Sequence, residues 1–172
     1  MSGSGVVRFA VAAVLLSTLV GAPGAAAAER DPLKPVWTSG LPGQDEFDVV
    51  VAPDRKNVWA FGMDRRERAI AYRKSGATWK PAGLPRGLKG SIVEASASSA
   101  RNVWAVGYED FNTAKPTYLL RWNGERWKVA KRWDAFLASA VATGSRGVWV
   151  FDEARPRALR FDGRRWRRVN SS

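Results

Sequence analysis

The chain has 172 residues, with 28 Lys and Arg against 16 Asp and Glu, a formal net charge of +12, nine Trp, and neither His nor Cys. The missing imidazole and thiol exclude histidine bases, cysteine nucleophiles, disulfides and Cys/His metal sites, so any folded domain here is held together by packing. The cationic surplus favours anionic partners, whether nucleic acid, anionic lipid or an acidic wall polymer.

Residues 1–28 read as an export signal. Arg8 is the single cation of a short start, an apolar run extends from Phe9 to Val20, and "GAPGAAAA" follows, with Ala26 and Ala28 placed for cleavage after Ala28. The run falls short of the ~20 residues a helix needs to cross a bilayer, so the expectation is a secreted, extracellular protein with no membrane span in its mature chain. Residues 29–172 are a comfortable size for a single domain. The charge surplus survives cleavage, because 1–28 carry one arginine and no acid.

In chain order the first element is a strand-like segment at 35–41, within "VWTSGLPG", which resembles "TWKPAGLPRG" at 78–87. Three repeat units follow, at about 45–88, 89–134 and 135–170. The first holds "FDVVVA" (47–52), "KNVWAFG" (56–62), "YRKSG" (72–76) and Trp79. The second holds "IVEASA" (92–97), "RNVWAVG" (101–107), "LRWNG" (120–124) and Trp127. The third holds "LASAVA" (137–142), "RGVWVFD" (146–152), "LRFDG" (159–163) and Trp166. The Val-Trp phrase begins at 56, 101 and 146, a period of 45 residues. Its alternation sends Trp59 with Phe61, Trp104 with Val106, and Trp149 with Phe151 to one face of a strand. Asn123-Gly124 and Asp162-Gly163 predict two-residue hairpin turns, since Asn, Asp and Gly tolerate positive φ. No helical periodicity interrupts this pattern, so the chain reads as all-β, and four strands in about 45 residues match one propeller blade.

The phrases "NVWAFG", "NVWAVG", "GVWVFD", "RWNGERW" and "RFDGRRW" resemble those of secreted bacterial β-propeller-like repeat proteins, and the likeness runs from Trp37 to Val169. "SGATW" is more distantly similar to the Asp-box turn of sialidase-type propellers, and the chain is distantly similar to kelch propellers as well. The resemblance implies blades and export but no active site. Three blades are fewer than the roughly four to eight of a closed ring. The orphan strand is therefore expected to pair with the terminal unit or to dock on a second chain, a homodimer making six blades; an open three-blade wedge is the remaining arrangement. A β-trefoil, also three units of four strands, is the alternative fold; the small residues of the first strands, such as Ala95, Ala97, Ala138 and Ala140, favour a crowded propeller axis.

Seven tryptophans keep the repeat period and read as packing between units: Trp37, Trp59, Trp79, Trp104, Trp127, Trp149 and Trp166. Trp122 and Trp133 break it and are the candidates for stacking a ligand. Arg73, Arg121 and Arg160 precede each hairpin glycine by three residues; they form either an anion clamp or stems lying along the sheet and paired with carboxylates. Lys56, Arg101 and Arg146 end the turn between the first and second strands, and Lys74, Arg126, Arg164 and Arg165 lie in the hairpins at the same end of a blade. The candidate anion-binding residues are Lys56, Arg101, Arg146, Arg126, Arg164 and Arg165.

No residue is assigned a catalytic, cofactor-binding or metal-binding role, and no specific nucleic-acid motif is present. The expectation is a secreted, non-catalytic binding module with a basic end for an anionic partner such as a cell-wall polymer. The competing reading is a glycosidase-like enzyme using carboxylates of the opposite loops, Glu109, Asp110, Asp152 and Glu153. A degenerate propeller fragment without a ligand is the third.

Overall fold

The computed structural model describes residues 45–110, 116–134, 137–152 and 157–170. The export-signal segment and the orphan strand at 35–41 lie outside the described residues, as does Glu153. The strands belong to one compact unit, Trp37–Ser172.

Three separate antiparallel sheets of four strands each account for the described residues. The first contains β1 (Glu46–Asp54), β2 (Asn57–Met63), β3 (Ala69–Ser75) and β4 (Thr78–Pro81). The second contains β5 (Ser91–Ser99), β6 (Asn102–Tyr108), β7 (Thr117–Trp122) and β8 (Trp127–Trp133). The third contains β9 (Leu137–Thr143), β10 (Gly147–Asp152), β11 (Arg157–Phe161) and β12 (Trp166–Asn170). Every strand pairs with its neighbour in sequence, so each sheet is a meander confined to one repeat unit. A trefoil would pair strands across units; these are three propeller-type blades.

The first strands line the inside. β5 packs between β1 and β9, where Ala95, Ala97 and Ala140 keep the backbones close. Side chains of β5 also serve the free edge of β9. Glu94 Oε1 accepts the Ala140 N–H at 2.9 Å, and Ser96 Oγ accepts that of Ala142 at 2.9 Å. Backbone donors on an inner edge must find such partners or lose the hydrogen bonds they had in water.

Indoles fill the seams between blades. Trp59 and Phe61 of β2 are fully buried, and Trp59 lies 4.9 Å from Trp122 and 5.2 Å from Trp127 of the second blade. At the next seam the fully buried Trp104 of β6 meets Phe161 at 5.8 Å and Trp166 at 6.4 Å, edge to face. Truncating a ring so enclosed typically costs about 3–5 kcal/mol, so the seams carry a large part of the stability. Trp149 and Phe151 occupy the same positions on the distal face of the third blade. There Phe151 is 40% exposed, and Val141, directly across from Trp149, is 47% exposed.

The glycine ending "VWAVG" has a packing reason. Gly107 sits opposite Tyr118, whose ring lies across β6 so closely that a Cβ on Gly107 would come within 2.3 Å of it.

The turns differ from expectation. At Asn123-Gly124 and Asp162-Gly163 the connections have four residues, because the paired ends are Trp122 with Trp127 and Phe161 with Trp166. Side-chain acceptors take the place of a two-residue turn. Asn123 Oδ1 accepts the N–H groups of Glu125 and Arg126, both at 3.0 Å, and Asp162 Oδ1 accepts those of Arg164 at 2.8 Å and Arg165 at 2.9 Å. The two-residue loop occurs instead in the first blade, at Gly76-Ala77 between paired Ser75 and Thr78, where no Asx residue is available to bridge a longer one.

Candidate anion-binding end

The turns after β1, β5 and β9 lie beside the hairpins after β3, β7 and β11. In the second and third blades a glycine makes the contact: a Cβ on Gly124 would fall 2.8 Å from Arg101 Nε, and one on Gly163 would fall 2.9 Å from Arg146 Cβ. Both glycines also hold positive φ, +101° and +99°. The hairpin glycine therefore shapes its own loop and seats the turn arginine of the same blade.

At each filled seam a cleft opens at this end. The first, of about 870 Å³, collects Arg55, Lys56, Arg73, Lys74, Lys80 and Arg126, with Glu125 the one acid in its lining. Trp59 and Trp122 also line it. The second, of about 580 Å³, is walled by Arg101, Arg121 and Arg146, again with Glu125 as its one acid. Arg164 and Arg165 project from the β11–β12 hairpin, exposed, while their backbone N–H groups close on Asp162. Those two bonds, that of Arg165 first, hold the Asp162 carboxyl below the usual carboxylate range. In the first blade the Asn57 side chain, followed by the Lys56 N–H, does the same for Asp54. All six candidate anion-binding residues, Lys56, Arg101, Arg126, Arg146, Arg164 and Arg165, are exposed and belong to this end.

The three in-phase arginines are not paired with carboxylates among the described residues. Each stands directly across from the seam tryptophan of its own blade: Arg73 opposite Trp59, Arg121 opposite Trp104, Arg160 opposite Trp149. Their guanidinium carbons lie 5.2, 5.2 and 5.4 Å from the respective ring centroids. Arg73 also reaches Trp122 at 5.7 Å, and Arg121 reaches Phe161 at 5.6 Å, so each spans a seam. Burial, and then the nearby Arg146 charge, push the Arg121 guanidinium below its ordinary pKa.

One residue the sequence reading passed over controls how these donors are satisfied. Asn102 begins β6, and its Oδ1 accepts the Trp104 indole N–H at 2.9 Å. The Arg121 Nε, enclosed in the same seam, has no hydrogen-bond partner. The equivalent Asn57 makes the opposite choice: its Oδ1 accepts from Arg73 Nη2, and the Trp59 indole nitrogen is left without a partner. In the third blade the position is Gly147, which has no amide to offer. The signal is present in "NVW", "NVW" and "GVW", but only the fold shows which donor each asparagine serves.

Trp122 is 8% exposed and belongs to the seam, with Trp59 and Trp127 against its ring and its indole N–H donating to the Ala100 carbonyl at 3.1 Å. Trp133 is half-buried, edge-on to Trp166 at 6.0 Å, with Lys131 Nζ 5.5 Å from its centroid. At the opposite end Glu109 is ion-paired with Arg132, Asp110 is exposed and Asp152 is half-buried. Among the described residues, no helix is long and apolar enough to cross a membrane.

No family model matches the chain, and no curated protein matches it. A solved structure described as YCF48 bound to D1 peptide aligns with a TM-score of 0.56 at 18% identity, over 75% of this chain and 41% of that one. The chain thus spans about two-fifths of that neighbour's length. The likeness is one of fold: three four-stranded blades of the β-propeller kind.

Proposed function

We propose that this is a secreted, non-catalytic binding module whose basic end takes an anionic partner such as a cell-wall polymer. The observation that carries the reading is the collection of six cations against one acid around the first cleft, continued by three arginines in the second. Like charges held this close are poorly compensated until an anion arrives, and a concave cationic wall raises the local concentration of anions. That a propeller of similar fold is described as bound to a peptide agrees with a binding role. The test is binding of the purified protein to heparin and to a phosphate-rich polyanion over a range of salt. A steep fall in affinity with salt is expected, and a flat response would refute the reading.

A second feature supports self-association. Trp149, Phe151 and Val141 form a half-seam of the kind that buries Trp59 and Trp104 elsewhere in the chain, and Phe151 and Val141 are exposed. A second copy supplying its first blade would cover this face, and two copies would make six blades. Light scattering decides it: a dimer that Phe151→Asp converts to monomer is expected, and a monomer at all concentrations would refute it.

A further inference from the structure

We propose that the cleft between the second and third blades is a discrete site for one oxyanion group, a phosphate, sulfate or carboxylate, with Arg121 as its anchor. The inference rests on the reading of the basic end as an anion-binding surface and assigns that binding to particular atoms.

The argument is one of donors and acceptors. Two donors, the Trp104 indole N–H and the Arg121 guanidinium 5.2 Å from that ring, share a seam in which Asn102 offers one amide oxygen. The indole takes it at 2.9 Å, and the Asn102 amide nitrogen is committed to Ser98 Oγ at 2.7 Å and the Gly147 carbonyl at 3.2 Å. The Arg121 Nε is left enclosed and unpaired. Buried donors in native proteins are nearly always satisfied, and a charged one most of all.

Charge points to the same kind of ligand. Arg101 and Arg146 also line the cleft with Glu125 as its one acid, and among the described residues no carboxylate forms an ion pair with any of the three arginines. The Arg101 and Arg146 side chains, though exposed, lie against the hairpin glycines Gly124 and Gly163. Three arginines lining one cleft suit the planar, forked recognition of an oxyanion. The cleft, about 580 Å³, has room for such a group. The first seam differs in kind, because there Asn57 already serves Arg73 and the unpaired donors, the Trp59 and Trp127 indoles, are uncharged.

The purified protein, labelled with nitrogen-15, would be titrated with inorganic phosphate, sulfate and acetate at constant ionic strength while the arginine Nε–H signals are followed, that of Arg121 being assigned with R121K. A saturable shift of the Arg121 signal is expected, and the anion giving the tightest curve identifies the ligand group. Polyphosphate binding should weaken about tenfold in R121Q, the scale of one charge-assisted hydrogen bond, and should be unchanged in R68Q, whose arginine is paired with Asp64 at the other end. An Arg121 signal unmoved by all three anions would mean that water completes the seam, and the site would be refuted. R121Q binding polyphosphate as tightly as R68Q would refute it too. In either case salt-sensitive polyanion binding could persist, so the broader reading fails only if no polyanion binds. The signal shift is read on the unmodified protein and does not depend on R121Q folding.

Discussion

The Arg121 guanidinium lies 5.2 Å from the centroid of Trp104, its antiparallel neighbour, and 5.6 Å from Phe161 of the next blade, so one cation caps two aromatic rings that meet across a seam. Lysine keeps the charge at this position but loses the flat stacking surface. R121K should therefore fold with a stability lower by about 1 kcal/mol, the scale of a partly desolvated cation–π contact, as read by urea denaturation.

The filled and open seams should respond differently to truncation. W104A removes a fully buried indole and should cost about 3–5 kcal/mol. W149A removes a half-buried ring on the open face and should cost clearly less in the isolated chain. Equal large losses measured at low protein concentration would show that the distal face is covered.

Glu94 gives a pH dependence of definite sign. Burial raises its carboxyl above the ordinary value of 4.5, against the opposing Ala140 N–H bond. The native state then binds the proton more tightly than the unfolded chain, so this group's contribution is most favourable below the unfolded pKa and declines as pH rises through the folded one. E94Q retains an oxygen for Ala140 and cannot ionise. It should be more stable than the parent at pH 7, with the advantage vanishing near pH 3. E94A leaves the N–H unpaired and should lose about 1–3 kcal/mol at both pH values. Thermal melts at the two pH values check all three outcomes.

Asp162 acts in the opposite direction. Its carboxyl is lowered by the Arg165 and Arg164 N–H groups, so its contribution is present above the unfolded value of 3.8 and is lost as pH falls through the folded pKa. D162N should preserve the turn at neutral pH, as Asn123 does in the second blade, and should flatten the acid side of the melting profile. D162A should lower the melting temperature at pH 7.

Much of this architecture is legible in local sequence. The 45-residue period, the Val-Trp alternation and the Asx-Gly pairs identify three four-stranded units, because strand formation and turn chemistry depend on residues a few positions apart. The same pattern places Trp59, Trp104 and Trp149 on equivalent faces and Lys56, Arg101 and Arg146 at one end. The turns at Asn123 and Asp162 are four residues long rather than the expected two, since the Asx residue that suits a tight turn also offers an oxygen to backbone N–H groups two and three residues on.

Only the tertiary structure decided which equivalent residues become different. Trp104 is sealed while Phe151 beside Trp149 is exposed, because burial depends on what packs against each blade, and a repeat cannot encode its own neighbour. Asn57 and Asn102 share one phrase but serve different donors: Asn102 accepts from an indole two positions on, whereas Asn57 accepts from a guanidinium sixteen positions on that reaches it only when the blade has folded. Residue identity determined the strands and the charge of one end; packing between blades determined where that charge finds no partner.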